Sequence, residues 1–421
     1  MSRGGLRLFE AVGIELEYMI VDRETLAVRP IADRLLAAAQ ERGTGSPPEV
    51  PESEIERGAL AWSNELALHL VELKTNGPAP AIAGLAAAFE TGVRDANQLL
   101  APQRARLMPT GMHPWMDPAS ELVLWPHEYA EVYRGFDRIF GCREHGWANV
   151  QSMHLNLPFD GDREFGRLHA AIRVLLPLLP ALAASSPLVE GHATGMLDSR
   201  LEFYRAHTRR IPSLTGELIP EPTFDRAGYE RQIYARIRGD LAAHDPEGAM
   251  RSESMNARGA IARFDRGAIE IRLLDVQECP RADMAVAGAV VAALRALALG
   301  SLASQQAQRD FPQAPLAAAL RETTRHADAA LLDDGPYLRL LGWKGAIPCR
   351  AGELWRDLVQ RTHGDREAPE AADALALILD EGCLARRILR RVGAEPEAER
   401  IREVYAELCR CLAEGRLLRS A

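Results

Sequence analysis

The sequence predicts an α+β fold: an antiparallel sheet with helices packed on one face, a concave and charged opposite face, and a helical C-terminal region. Four stretches, at residues 12–20, 62–75, 150–157 and 256–273, alternate apolar and polar residues as half-buried strands do. Amphipathic, Ala- and Leu-rich segments separate them, and the pattern beyond Arg281 is helical almost throughout. One sheet covered by helices on one side satisfies these observations.

Composition limits the kind of protein. The 421 residues are 47% hydrophobic, which is ample for a core. A formal charge of −9 argues against nucleic acid or a membrane surface as the main partner and favours small-molecule chemistry. The six cysteines have neither CxxC nor zinc-site spacing, and the N-terminus lacks the apolar core of an export signal. A reduced, cytoplasmic protein is therefore expected.

The first alternating stretch places two carboxylates two residues apart. On a strand, Ile14 and Leu16 face the core, while Glu15 and Glu17 share the opposite face, roughly 7 Å apart. Two such charges could both point into water. Otherwise they destabilise the strand unless a cation lies beside them, and a divalent metal ion is the expected cation.

The second stretch, Trp62 to Thr75, is predicted as a single strand because its leucines alternate and Asn76-Gly77-Pro78 ends it. Glu72 is the stronger candidate for the polar face. Glu65 lies seven residues earlier and needs a bulge or a loop position to join it. On a helix, Glu65, His69 and Glu72 would instead share one face, but the alternating leucines favour a strand.

Two further stretches add polar groups to the same face. In the third, His154 and Asn156 alternate with apolar residues, and a strand histidine near carboxylates is a candidate metal ligand. The fourth is a hairpin with an Asp265-Arg266-Gly267 turn, and its second strand places Glu270 and Arg272 on one face. These two residues form either a simple ion pair or, with two arginines of the first strand, an anion site.

The connecting segments are predicted as helices at 80–100 and 168–184, the latter interrupted by prolines, and as later helices at 282–304, 314–331, 352–362, 371–391 and 397–415. The segment from 185 to about 223 is predicted as a loop. It carries the closely spaced arginines Arg200, Arg205, Arg209 and Arg210. Such a loop is either solvated or a lid that binds a carboxylate or phosphate substrate through its arginines.

The predicted polar face suits divalent metals and phosphate. Four carboxylates and one imidazole match two or three Mg²⁺ or Mn²⁺ ions, because hard oxygen ligands dominate and thiolates are absent. Arg258, Arg263 and Arg272 are predicted to hold nucleotide phosphates and a transferring phosphoryl group. The chain has no GxxxxGK[ST] loop and no GxGxxG turn, so any ATP must be bound by this sheet.

The ordered motifs resemble the glutamate-cysteine ligase type 2 family, the carboxylate-amine ligases, whose catalytic domain is similar to that of glutamine synthetase. The resemblance spans residues 8 to 300 and includes Gly13-Ile14-Glu15-Leu16-Glu17, Glu65 with Glu72, Met153-His154-Leu155-Asn156, Ser186-Pro187 with Thr194-Gly195, Arg258 to Arg263, and Glu270-Ile271-Arg272. Each motif is weak alone, whereas the ordered set is specific.

The resemblance implies a catalytic domain at 1–300 and a helical extension packed on it at 301–421. It implies metal ligands at Glu15, Glu17, Glu65, Glu72, His154 and Glu270. Catalytic roles are expected for Arg263, Arg272 and Glu270. ATP contacts are expected at Arg258, Arg263, Arg272 and Asn156, and substrate contacts at Arg200, Arg205 and Arg209.

The implied reaction joins two small molecules. ATP phosphorylates a carboxylate, with the γ-carboxylate of glutamate as the expected one, and an amine such as cysteine attacks the acyl phosphate to give an amide. A homo-oligomer is expected, with neither nucleic acid nor membrane as partner. Two alternatives use the same sheet: a metal-dependent amidohydrolase or phosphatase, and a non-catalytic nucleotide-binding relative.

Overall fold

An antiparallel sheet organises the chain in the computed structural model, which describes residues 5–45, 48, 50–246 and 250–420. In chain order the strands are β1 Gly13–Asp22, β2 Glu54–Arg57, β3 Leu60–Asn64, β4 Leu70–Thr75, β5 Ala105–Met108, β6 Ser152–Pro158, β7 Leu188–Val189, β8 His192–Ala193, β9 Ala260–Arg263, β10 Ala268–Asp275, β11 Leu331–Leu332 and β12 Cys349–Arg350. The main sheet has the order β2-β3-β4-β1-β6-β10-β9, and β5 pairs with the end of β1. The remaining strands form two small pairs, β7 with β8 and β11 with β12.

Helices fill the intervals between the strands. Up to residue 255 they are α1 Ala32–Thr44, α2 Leu85–Leu100, α3 Pro118–Glu121, α4 Ala130–Phe140, α5 His145–Ala148, α6 Gly161–Leu175, α7 Leu179–Ala183, α8 Ser199–Ala206, α9 Arg226–Tyr229, α10 Ala235–Leu241 and α11 Ser252–Met255. Beyond the sheet they are α12 Pro280–Ala298, α13 Gln305–Asp310, α14 Gln313–His326, α15 Gly335–Leu340, α16 Ala351–Thr362, α17 Ala372–Glu381, α18 Leu384–Val392 and α19 Ala398–Glu414. The predicted α+β class is confirmed, while the concave shape of the polar face stays a prediction.

The core lies on one face of the sheet. Ile14, Leu16 and Tyr18 of β1 are fully buried in it, beside residues of α2, α6 and α12 such as Phe89 and Val290. The stretch Gly161–Ala183 is apolar and long enough to cross a membrane, but 94% of its most apolar window is buried in the protein. Burial of these apolar side chains turns the other residues of β1 to the opposite face.

The C-terminal helices occupy both faces of the sheet. Residues of α14 to α17 belong to the main core. Helix α18 and most of α19 pack in a second core with Met19 and Val21, on the side of β1 that also carries Glu15 and Glu17, while Leu412 of α19 reaches the main core. A buried ion pair between Arg387 of α18 and Glu278, which follows β10, connects these helices to the sheet. The boundary near residue 300 stays a prediction.

Several predicted elements differ in the structure. The stretch 62–75 forms β3 and β4, joined by a short connection in which Leu68 donates its N–H to Val123, so it is not one strand. The segment 185–223 contains α8, whose first turn is capped by Asp198. The helix predicted at 371–391 is divided at Gly382 into α17 and α18, because Gly382 has a φ of 90° that ends a helix. The stretch 43–58, whose Gly, Ser, Pro and Glu content predicts a loop, contains β2 at Glu54–Arg57, and part of it lies outside the described residues.

Candidate active site

Strand register brings the predicted polar residues together at the centre of the sheet. Glu17 of β1 lies opposite Glu72 of β4, and Glu15 lies between His154 of β6 and Lys74 of β4. On the outer side of β6, Asn156 pairs with Glu270 of β10. Because the side chains of paired residues point to the same face, these groups form one polar surface opposite the core.

Hydrogen bonds hold the two carboxylates of β1 in place. Glu15 accepts from His154 Nδ1 at 2.8 Å and from the Asn156 amide at 2.9 Å. Glu17 accepts from both the backbone N–H and the hydroxyl of Ser152, at 2.6 and 2.9 Å. Burial lowers the pKa of His154, but the bond to Glu15 and the charge of Glu17 raise it more, so the net shift is upward.

Within the described ranges of the chain, two overlapping groups of ligand atoms could hold metal ions. One consists of Glu15, Glu72 and His154, and the other of Glu17, Glu65 and Glu72; in each, the ligand atoms lie within 4.8 Å of one another. Glu65 reaches the second group from the connection that follows β3, the loop position that the sequence required of it. The structure thus assembles five of the six predicted ligands around Glu72.

Burial and mutual repulsion raise the pKa values of two carboxylates in the second group. Burial, followed by the charges of Glu17 and Glu72, raises the pKa of Glu65 well above its usual range. Burial and Glu15 raise the pKa of Glu72 to about 7, although Lys74 opposes the shift. Crowded carboxylate oxygens are the donors that hard divalent cations prefer, so these residues fit Mg²⁺ or Mn²⁺.

Glu270 lies outside both groups because arginines hold its two oxygens. Arg263 Nε lies 2.9 Å from one carboxylate oxygen, and Arg272 Nε lies 2.6 Å from the other. Burial raises the pKa of Glu270, but the two guanidinium charges lower it more, so it lies well below its usual range. Arg263 and Arg272 thus reach the polar face as predicted, where they neutralise a neighbouring carboxylate.

Arg258 does not reach the polar face. Its buried guanidinium forms two 2.6 Å bonds with Glu221 and further bonds to the carbonyl oxygens of Ser213 and Leu214. A guanidinium with these partners fixes the chain that precedes β9 and has few donors left for a phosphate. The predicted ATP contact at Arg258 therefore has no geometric support.

The arginines predicted to bind substrate are dispersed. Arg200 borders the site, but it is buried and ion-paired with Asp275. Arg205 pairs with Glu202 on the same helix, and Arg209 forms a two-fold pair with Glu144 while remaining 60% exposed. These pairs satisfy three charges that the sequence alone leaves unassigned.

Lys74 is a site residue that the sequence reading missed. Its ammonium lies 2.7 Å from Glu54 and 3.1 Å from Glu72, so it is a fixed cation beside the carboxylate that both ligand groups share. Its position two residues after Glu72 already places it on the same strand face. The rarity of lysine was a second available signal, since the sequence has lysine only at positions 74 and 344 among 50 basic residues.

Two cavities open on opposite sides of the carboxylates. A cavity of about 210 Å³, the ring cavity, is bordered by Glu17, Glu65 and Arg272 and has a wall of aromatic side chains. A cavity of about 340 Å³, the strand-end cavity, is bordered by Glu15 and Lys74 and by small residues of β1 and β3. The aromatic wall comes from α4, α5 and α8, which no strand pattern connects to the site.

Comparison with known proteins agrees with this architecture. A sequence model of the glutamate-cysteine ligase family 2 (GCS2) matches residues 11–407. An uncharacterized protein of Archaeoglobus fulgidus is 30% identical over 401 residues, which cover 95% of this chain and 98% of that protein. That relative extends the similarity through the C-terminal helices.

Solved structures share the fold at low sequence identity. Glutamate-cysteine ligase of Francisella tularensis, solved in complex with AMP, has a TM-score of 0.60 at 13% identity, with 96% of this chain and 88% of that chain covered. A bifunctional glutathione synthetase of Pasteurella multocida has a TM-score of 0.58 at 13% identity, with 98% of this chain and 52% of that chain covered. The match of the family model over nearly the whole length shows that the chain belongs to glutamate-cysteine ligase family 2.

Proposed function

We propose that the protein is an ATP-dependent carboxylate-amine ligase. The observation that carries the proposal is the pair of ligand groups that share Glu72, with a cavity on each side, in a chain of this family. Such a site can bring a nucleotide from one side and a carboxylate from the other to the same cations. Glutamate is the first acid to test and cysteine the first amine, because the family's name contains both.

The proposed reaction has two steps. A carboxylate oxygen of the acid attacks the γ-phosphorus of ATP, the bond to the bridging oxygen breaks, and ADP leaves. The amine nitrogen then attacks the acyl carbon, inorganic phosphate leaves, and the nitrogen loses a proton to give the amide. Phosphorylation is required because a free carboxylate has no good leaving group.

We infer that the nucleotide binds at the Glu15 end of the site. Lys74 and Arg266 border the strand-end cavity there, and Arg266 also borders a neighbouring cavity of about 370 Å³ together with Arg263 and Arg251. Phosphate oxygens favour such basic surroundings. With the nucleotide there, the acid and the amine bind in the ring cavity, beside Glu17 and Glu65.

Several side chains serve to orient the proposed ligands of the cations. Ser152 fixes one oxygen of Glu17, and the Ser63 hydroxyl donates to Glu72 at 2.8 Å. Asn156 is assigned to positioning Glu15, because its amide already donates to that carboxylate. When bound, divalent cations supply charge neutralisation of the phosphate oxygens, which lowers the repulsion of an anionic nucleophile.

The decisive experiment measures ADP formation by the purified protein with ATP, Mg²⁺ or Mn²⁺, glutamate and one amine at a time, with mass spectrometry of the product. We expect ADP only when both an acid and an amine are present, and a product mass equal to their sum less one water. Glu15→Gln should abolish both signals. Glu56→Gln, which changes an exposed carboxylate of β2, is the matched control and should leave them intact.

Two results would contradict the proposal. Cleavage of an amide without nucleotide would favour the hydrolase that the same carboxylates could also support. ATP binding without ADP formation across a wide panel of acids and amines would indicate a non-catalytic relative.

A further inference from the structure

Aromatic side chains form a continuous wall along one side of the ring cavity. Consecutive ring centroids lie 6.4 Å apart for Tyr133 and Phe136, 5.7 Å for Phe136 and Trp147, and 4.6 Å for Trp147 and His207. Tyr204 stacks on His207 at 4.6 Å and completes the series. All five border the cavity, and we call them the ring wall.

The ring wall is an assembled feature, since specific contacts hold its three helices together. The Trp147 indole N–H donates to the carbonyl of His207, and Arg210 donates to the carbonyl of Ile139. A Cβ at Gly146 would lie 2.5 Å from the carbonyl oxygen of Phe203, so only glycine permits this approach of α5 to α8. These contacts fix the rings independently of any ligand.

The two tyrosine hydroxyls of the ring wall already have hydrogen-bond donors within the protein. The Tyr133 hydroxyl accepts from Asn64 at 3.0 Å, and the Tyr204 hydroxyl accepts from Arg272 at 3.3 Å. Burial lowers the pKa of His207 to about 4, so its ring is neutral near pH 7. The remaining ring surfaces present an uncharged aromatic side to the cavity.

The charged groups of the cavity favour a ligand without a second charge on its body. Arg200 is ion-paired with Asp275, and Arg272 is ion-paired with Glu270. Both guanidinium groups that border the cavity therefore already have a carboxylate partner. A reactive carboxylate or amine would lie near Glu17, beside the proposed cations, with its organic body against the rings.

We propose that one of the two substrates joined in this cavity carries an aromatic ring that packs against the ring wall. The statement that two substrates are joined here rests on the proposed function. Binding of an aromatic ring is a separate property, which is measured without turnover. The aromatic ring belongs either to the acid or to the amine, and titration with one aromatic acid and one aromatic amine distinguishes these two cases. Adenine in this cavity would contradict the proposal.

Trp147 provides the readout. Phenylacetate and phenethylamine, each titrated into the protein with Mg²⁺, should change tryptophan emission, and at least one should bind about tenfold or more tightly than acetate or ethylamine. The change should disappear in Trp147→Phe. It should persist in Trp343→Phe, a matched variant that removes a tryptophan whose indole bonds to Ala346, away from the cavity lining.

A second variant changes the ring wall while keeping Trp147, the source of the emission signal. Phe136→Leu keeps most of the volume but removes a ring between Tyr133 and Trp147, and we expect it to weaken binding of the aromatic ligand by about three- to tenfold. Unchanged affinity would overturn the role of the wall. Equal binding of ringless ligands, or a Trp147-dependent change produced by AMP alone, would overturn the proposal as well.

Turnover distinguishes the two proposals. If ADP forms with an aromatic acid or amine and far less with glutamate plus cysteine, both are supported. If aromatic ligands bind as expected but no combination forms ADP, the ligase proposal fails and the ring inference stands. If glutamate and cysteine turn over well while aromatic ligands neither bind nor react, the ring inference fails alone.

Discussion

Glu65 and Glu270 are both carboxylates at the polar side of the sheet, yet their pKa values shift in opposite directions. Glu270 lies between Arg272 and Arg263, which outweigh burial and keep it ionised. Burial, followed by repulsion from Glu17 and Glu72, raises the pKa of Glu65. The protein itself neutralises one end of the site, whereas at the other end the carboxylates repel one another and hold protons more tightly.

We expect this difference to separate residues that maintain the site from residues that bind ligands. A carboxylate with two guanidinium partners contributes to folding, and removing it leaves unpaired charge. Carboxylates that repel one another reduce stability, and such an arrangement is typical of a functional site. Four predictions test this division, from the largest expected effect to the smallest.

Glu17→Gln should lower the rate of ADP formation by on the order of 10³-fold, because it removes an anionic ligand that no neighbour replaces. The rise in melting temperature on adding Mn²⁺ should be lost as well. Both are measured on the same preparation, by a coupled assay and by thermal denaturation. A variant that keeps wild-type turnover and a wild-type Mn²⁺ shift would show that Glu17 is not a ligand.

Glu270→Gln and Glu65→Gln should change the stability of the metal-free protein in opposite directions. The first leaves two guanidinium groups without their carboxylate and should lower the free energy of unfolding by about 3 kcal/mol. The second removes repulsion and should raise it by up to about 1 kcal/mol. Urea denaturation of both variants without metal measures this. Equal destabilisation would refute the contrast drawn between the two ends.

Metal affinity should rise with pH because Glu72 titrates near neutrality. Its pKa of about 7 lies above the ordinary 4.5, so the folded metal-free protein holds a proton that the unfolded chain has lost between these values. That contribution to stability is present below about pH 4.5 and lost as pH rises through 7. A metal must displace the proton, so Mn²⁺ affinity should increase up to about tenfold per pH unit below pH 7. Calorimetric titration from pH 6 to 8 measures this, and a flat profile would contradict it.

Arg209→Ala should have the smallest effect. Arg209 is 60% exposed and pairs with Glu144 on the surface, so its loss should change the free energy of unfolding by less than about 0.5 kcal/mol. The KM values for both substrates should also stay within twofold of wild type. A large increase in KM for the acid would restore the substrate role that the sequence predicted for this arginine.

The strands of the fold could be predicted because their signal is local. The alternation in 13–22, 152–158 and 268–275 fixes which side chains face the core, and register then follows from burial. The break between β3 and β4 was missed because Leu66, Leu68 and Leu70 keep alternating through it. Tertiary contacts decide there, including the bond from Leu68 to Val123.

The candidate site was predictable only where it lies on strands. Glu15, Glu17, Glu72 and His154 follow from face and spacing. The partners of the arginines could not be predicted, because a guanidinium binds whichever anion is nearest in space. Glu221, the partner of Arg258, is 37 residues distant in sequence. The ring wall was missed for the same reason, since contacts between α4, α5 and α8 depend on tertiary packing.

The reactivity of Lys74 offers a chemical measurement of whether the site is occupied. The sequence has lysine only at positions 74 and 344, and Lys344 is exposed. An ammonium held by two carboxylates is a poor nucleophile, so an acylating reagent should label Lys344 first. When a cation binds Glu72, Lys74 loses one ion-pair partner. The acylation of Lys74 relative to Lys344 then measures the fraction of protein with a cation bound. Lys74 thus serves as the probe and Lys344 as the internal standard, and mass spectrometry can measure both before any substrate is known.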